Sequence, residues 1–161
     1  MMGNCGWKAN PEKEVHFILH YLLKKINNLQ KKPIENHKLL GMRKKCILIY
    51  DDDLEILTVC KAILDYDNYR VETLANCENI LQDITAIQPD IILMDLWIPK
   101  IGGENAINLM HENEDTKHIP VILFSANDEI EKISKRINAN GYLRKPFDIS
   151  TFKNTIESNI L

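Results

Sequence analysis

No stretch of this chain approaches the ~20 consecutive apolar residues needed to cross a bilayer. The N-terminus also lacks an apolar core followed by a small-residue cleavage site, so neither a membrane span nor a secretory leader is expected. A cytoplasmic protein is the expectation. Cysteine is scattered: Cys5, Cys46, Cys60 and Cys77 form no C-x-x-C pair, which removes the usual zinc and redox spacings and leaves free thiols in a reducing compartment. What remains is a chain of 161 residues, 45% of them hydrophobic, which suits one domain of ordinary size with something added.

Charge divides the chain unevenly. Residues 1–45 hold ten Lys or Arg against three Glu (+7), and residues 46–161 hold ten against twenty acidic residues (−10), for a net charge of −3. Such a split suggests two pieces with different roles, an extension over residues 1–43 and a domain over 44–161. In the extension Val15, Ile18, Leu19, Leu22, Leu23, Ile26 and Leu29 recur at three- and four-residue spacing, which predicts an amphipathic helix over about 12–32 that stops before Pro33. A polar, basic linker follows. Two readings stand side by side: a docking or dimerising element, or sequence upstream of a natural start at Met42-Arg43-Lys44-Lys45.

From Cys46 the pattern is regular. Apolar runs at 46–50, 91–95 and 121–124, with shorter stretches at 70–74 and 142–144, predict strands. Between and after them lie helical stretches near 54–66, 78–87, 104–111, 129–137 and 149–159, the first with Ile56, Val59, Cys60 and Ile63 on one face and the second capped near Asn76 or Cys77. Five strands alternating with five helices predict an α/β fold, a doubly wound parallel sheet covered on both faces. Ligands of such sheets bind beyond the carboxyl ends of the strands, where Asp51, Asp52, Asp53, Asp95, Ser125 and Lys145 would converge. Asp95 is the centre of this arrangement. It closes the run Ile-Ile-Leu-Met-Asp-Leu-Trp-Ile-Pro at 91–99, and a carboxylate so placed needs a nearby cation or hydrogen-bond donors.

Several carboxylates at one strand edge repel one another, and a hard divalent cation relieves the repulsion. Magnesium holds few protein ligands and keeps waters and phosphate oxygens, so a sparse acidic site implies a phosphate partner. Lys145 would supply a compact positive charge and Ser125 a hydroxyl donor. An Asp carboxylate can itself be the nucleophile, forming an aspartyl phosphate. Each residue also has a bland reading: the aspartates at 51–53 can cap the following helix, Ser125 can be an ordinary strand-end hydroxyl and Lys145 a solvated charge. Four such features at successive strand ends outweigh those readings.

Four segments carry a family resemblance: ILIYDDDLEI at 47–56, DIILMDLWIPKIGG at 90–103, PVILFSA at 120–126 and GYLRKPF at 141–147. Together they resemble the receiver domain of two-component response regulators, over residues 44–161. The resemblance implies a flavodoxin-like strand order 2-1-3-4-5, which is a known example of this sheet type. It implies Asp95 as phosphoacceptor and Asp51, Asp52, Asp95 and the Trp97 backbone carbonyl as ligands of Mg²⁺. Ser125 would be the switch hydroxyl, Tyr142 the aromatic that rotates with it, Lys145 the phosphate-contacting lysine, and Lys145-Pro146 a cis bond. Asp53 matches an acidic but less essential position, and Gly102 replaces a small polar residue. Trp97 falls where the family varies, and with Asn127, two residues past Ser125, it is expected to set how long a phosphoryl group survives.

The implied function is that of a stand-alone, chemotaxis-regulator-like receiver, not an enzyme in its own right. It would take a phosphoryl group from a histidine kinase or histidine phosphotransfer protein and switch a partner-binding face made by the fourth helix, fifth strand and fifth helix, through which a dimer could also form. The chain ends after the fifth helix, so a downstream protein effector is expected rather than an output domain. A flavodoxin would need a hydroxyl-rich phosphate loop where three aspartates stand, and an aspartate-nucleophile phosphatase would need an Asp at Trp97. The alternative is a phosphorylation-independent interaction module with the same fold. Nucleic acid is not an expected partner, since the basic segment shows no reading motif.

Overall fold

The computed structural model describes residues 43–160; the helix expected over 12–32 and Cys5 lie outside the described residues. Strands and helices alternate: β1 (Cys46–Tyr50), α1 (Leu54–Tyr66), β2 (Arg70–Leu74), α2 (Ile80–Ile87), β3 (Ile91–Met94), α3 (Gly103–Glu112), β4 (Val121–Ser125), α4 (Ile130–Arg136), β5 (Gly141–Arg144) and α5 (Ile149–Glu157). All strand pairs are parallel, in the order β2-β1-β3-β4-β5. This is the doubly wound parallel sheet expected from the alternation, in the flavodoxin-like order that the resemblance implies.

Burial explains why the three central strands read as continuous apolar runs. Every residue of β1, β3 and β4 is buried. Successive side chains point to opposite faces, so Ile47, Ile49, Ile91, Leu93, Ile122 and Phe124 pack with α1 and α5, whereas Leu48, Tyr50, Ile92, Met94 and Leu123 pack with α2, α3 and α4. Burying one such side chain stabilises by ~1.5–3 kcal/mol, so each strand is committed to the sheet interior.

Local differences from the sequence reading have identifiable causes. The buried stripe of α1 is Leu57, Cys60, Ile63 and Leu64, with Ile56 and Val59 only partly buried at its edge. Two overlapping stripes share Cys60 and Ile63, and packing selects the one with two leucines. α2 begins at Ile80 rather than Glu78; Asn79 is its N-cap without a side-chain bond, and Cys77 is buried in the core instead of capping. β3 ends at Met94, although the Asp95 amide still donates to the Tyr50 carbonyl at 2.9 Å. α5 ends at Glu157.

The register aligns the strand ends that matter. Tyr50 pairs with both Leu74 and Met94, Met94 with Leu123, and Ser125 with Arg144. Asp51, Asp95, Ser125 and Lys145 therefore emerge at one edge of the sheet.

Candidate functional site

At that edge two carboxylates are removed from water: Asp51 is 1% exposed and Asp95 4%. Isolated, each would be costly. Lys145 answers both, its Nζ lying 2.5 Å from Asp51 Oδ2 and 3.2 Å from Asp95 Oδ1. The remaining oxygens are met by backbone donors: the Asp53 amide donates to Asp51 Oδ1 at 3.0 Å, and the Trp97 amide to Asp95 Oδ2 at 2.7 Å. Lys145 is itself steered from below, its ammonium 4.3 Å from the centroid of the Phe124 ring. Two carboxylates and one ammonium leave a net negative charge. Burial pushes the Asp51 carboxyl above its ordinary value and the Asp95 charge adds to this, against the opposing pull of Lys145 and the Asp53 amide.

Ser125 closes β4 fully buried, and its Oγ has no hydrogen-bond partner. Orphaned hydroxyls are uncommon in buried positions. The Ser125 carbonyl accepts from the Lys145 amide at 2.9 Å, which fixes these two residues side by side; the Lys145-Pro146 bond is cis, as expected. Asp51, Asp95, Ser125 and Lys145 are thus brought together. Asp52, next in the chain to Asp51, is exposed. Asp53 is the N-cap of α1, its carboxylate accepting from the Glu55 and Ile56 amides at 2.9 and 3.2 Å, so the capping role considered for the whole acidic run belongs to this one residue.

Trp97 is engaged through its amide, while the residue as a whole is 69% exposed. Asn127 Oδ1 accepts from the Glu129 amide at 2.8 Å. Tyr142 is not gathered into the site: it is 41% exposed on β5, and its hydroxyl interacts with the Glu131 carboxylate, which Lys135 and then this contact hold below the ordinary carboxylate value.

Two contributors escape the sequence reading. A Cβ on Gly103 would stand 1.9 Å from the Asp95 carbonyl oxygen, so this glycine lets α3 start directly against the acidic loop. Its signal was the Gly-Gly pair ahead of a helix. Phe124 registers only as a strand residue, yet its ring lies under Lys145 and 5.2 Å from that of Phe147 in the Lys-Pro-Phe segment.

Among the described residues no three His, Cys, Asp or Glu side chains are gathered closely enough to form a metal centre by themselves. The Lys145 ammonium offsets only one of the two negative charges of Asp51 and Asp95. Magnesium requires only one or two carboxylates, with water and phosphate oxygens completing its octahedron. Hard oxygens on Asp51 and Asp95, the exposed Asp52 that follows Asp51 and an unpartnered hydroxyl fit that requirement.

Comparison with known proteins agrees with this geometry. The profile of the response regulator receiver domain matches residues 47–157. The chain belongs to this family. Among curated relatives, the nisin biosynthesis regulatory protein NisR of Lactococcus lactis subsp. lactis is 37% identical over 117 residues, 71% of this chain and 49% of its own length. Sporulation initiation phosphotransferase F of Bacillus subtilis is 29% identical over 118 residues, 72% of this chain and 94% of its own. The chain thus spans about half the length of NisR and nearly all of the sporulation protein. Among solved structures, the receiver domain of sensor histidine kinase PA1611 from Pseudomonas aeruginosa PAO1, with a magnesium ion in its active-site cleft, superposes with a TM-score of 0.67 at 26% identity, covering 73% of this chain and 98% of that one.

Proposed function

We propose that this receiver domain accepts a phosphoryl group on Asp95 from a histidine kinase or histidine phosphotransfer protein and thereby switches a protein-binding face. The observation that carries the reading is the bridging of Asp51 and Asp95 by Lys145, next to a buried Ser125 hydroxyl that lacks a partner. In the transfer a P–N bond of phosphohistidine breaks, its electron pair stays on the imidazole nitrogen, and a carboxylate oxygen of Asp95 forms the new P–O bond. Lys145 faces Asp95 and would balance charge on the transferring group. Ser125 Oγ would donate to a phosphoryl oxygen, ending its isolation.

Asp51, Asp52, Asp95 and the Trp97 carbonyl would hold Mg²⁺. When bound, the ion would offset the charge that phosphate adds to an acidic corner. The chain acts as a phosphoacceptor that assists its own chemistry rather than as an enzyme with an external substrate.

The added charge would be reported through Ser125 and Tyr142 to the face formed by α4, β5 and α5, as a population shift between two conformations. A downstream protein effector, or a second copy of the chain, would bind there. A phosphorelay role is supported by the similarity to the sporulation phosphotransferase over 94% of its length. We place this activity in the cytoplasm, in keeping with the lack, among the described residues, of any helix long and apolar enough to cross a membrane. Residues 1–43 are read as a basic extension, separate from the receiver at 44–161.

The test is incubation with acetyl phosphate, with and without Mg²⁺, followed by intact-mass measurement of wild type and Asp95→Asn. One Mg²⁺-dependent phosphoryl addition, lost in the variant, is the expected result. No addition together with no Mg²⁺ binding would favour the phosphorylation-independent interaction module.

A further inference from the structure

The 126–129 loop, which follows Ser125, is tied to β5 by a side chain that the proposed chemistry does not use. Asp128 pairs with the Arg144 guanidinium. Arg144 is the strand partner of Ser125 and the immediate neighbour of Lys145, so this tie leads from the loop straight to the acidic centre. Other charges on the loop and on α4 are satisfied elsewhere: Lys132 pairs with Glu129, Lys135 with Glu131, and Arg136 grips Glu104 of α3 with both nitrogens at 2.5 and 3.0 Å. Among the described residues, the ion pair that links the 126–129 loop to β5 is therefore Asp128–Arg144. With the loop so held, Ser125 Oγ has no partner.

We propose that the Asp128–Arg144 ion pair locks the 126–129 loop in its resting position and restrains phosphoryl acceptance. This rests on the reading of Asp95 as the acceptor. Ser125 has to find its partner in an incoming phosphoryl group, and the backbone that carries it continues directly into the tethered loop. Both partners of the pair are well exposed, 58% and 81% for the side chains. An exposed pair is weak and salt-screened, so the lock biases the resting population without freezing it.

The experiment uses the full chain and three variants: Asp128→Asn, Arg144→Gln and the exchanged pair Asp128→Arg with Arg144→Asp. Hydrogen exchange of the Glu129 and Ile130 amides, both bonded to Asn127, reads the lock without any phosphate donor. Phosphoryl uptake from acetyl phosphate with Mg²⁺ reads its consequence. Each single variant is expected to exchange faster at these amides and to take up phosphate about two- to fivefold faster; the exchanged pair returns both towards wild type. Unchanged exchange in the single variants overturns the lock, and faster exchange with unchanged uptake overturns its control of acceptance. A wild type that takes no phosphate, from acetyl phosphate or a phosphohistidine donor, contradicts instead the role of Asp95, and the exchange data still decide whether the lock exists.

Discussion

Lys145 is the residue on which the site turns. Its ammonium bridges two carboxylates that are almost wholly withdrawn from solvent, so removing it leaves charge without compensation. Lys145→Met is expected to abolish phosphoryl uptake while the fold persists, checked by intact mass and circular dichroism; uptake at the wild-type rate would contradict its role. Trp97 tests a different property. Its amide donates to Asp95 and would do so with any side chain, whereas the residue is otherwise largely exposed, and the proposed role of its indole is to govern water near Asp95. Trp97→Asn should therefore leave uptake intact and speed loss of the phosphoryl group by a factor of a few, measured as decay of the phosphorylated mass; an unchanged decay would remove the indole from the account. At this scale the acidic and basic members of the site were legible because charge at the end of an apolar run is anomalous. Partnership was less legible: nothing local says that Lys145 reaches both Asp51 and Asp95, or that Asp53 turns to its own helix.

At the scale of elements, the three neighbouring aspartates part company: Asp51 is buried against Lys145, Asp52 is exposed and Asp53 turns to its own helix. Asp53 caps α1, and Asp53→Ala should lower stability by ~1 kcal/mol, within the usual range for lost N-caps, while phosphoryl uptake continues. Loss of uptake with stability unchanged would reverse that assignment. Gly103 marks the opposite case. A methyl group there would overlap the Asp95 carbonyl, so Gly103→Ala should cost more than the cap, on the order of 1–3 kcal/mol, and also impair uptake because the acceptor loop must shift. Denaturant unfolding beside uptake assays separates the two effects. Helix existence was readable from periodicity, but helix edges were not: α1 offered two stripes sharing Cys60 and Ile63, and only packing against the sheet selects Leu57 and Leu64.

For the whole molecule, the parallel sheet and the convergence of four strand ends were legible because the buried central strands leave unbroken apolar runs, whereas the strand order came from the family resemblance alone. The Asp128–Arg144 contact was not legible, since it joins side chains across elements whose spacing is set only by the packed fold. The same packing shields the thiols. Cys46, Cys60 and Cys77 are free and buried, and burial pushes Cys60 up to about 12 and Cys77 to about 11 from an ordinary 9.0. An acid whose pKa is raised by folding keeps its proton in the native state while the unfolded chain releases it, so stability should fall as pH rises through about 9 towards 11 to 12. Urea midpoints across that window should decline more steeply in wild type than in Cys60→Ala, each taken relative to its own value at pH 8; equal slopes would contradict the assignment. With Cys5 replaced by Ser, alkylation at neutral pH should be slow until the fold is opened.

The most direct measurement is to map the site of phosphorylation. Protein phosphorylated in the presence of Mg²⁺ is reduced with borohydride, which converts an aspartyl phosphate to homoserine, then digested and sequenced by mass spectrometry. Homoserine at position 95 and at none of positions 51, 52 or 53 is the predicted result. Homoserine at one of those three positions, with Asp95 unmodified, would contradict the assignment of Asp95 as the acceptor.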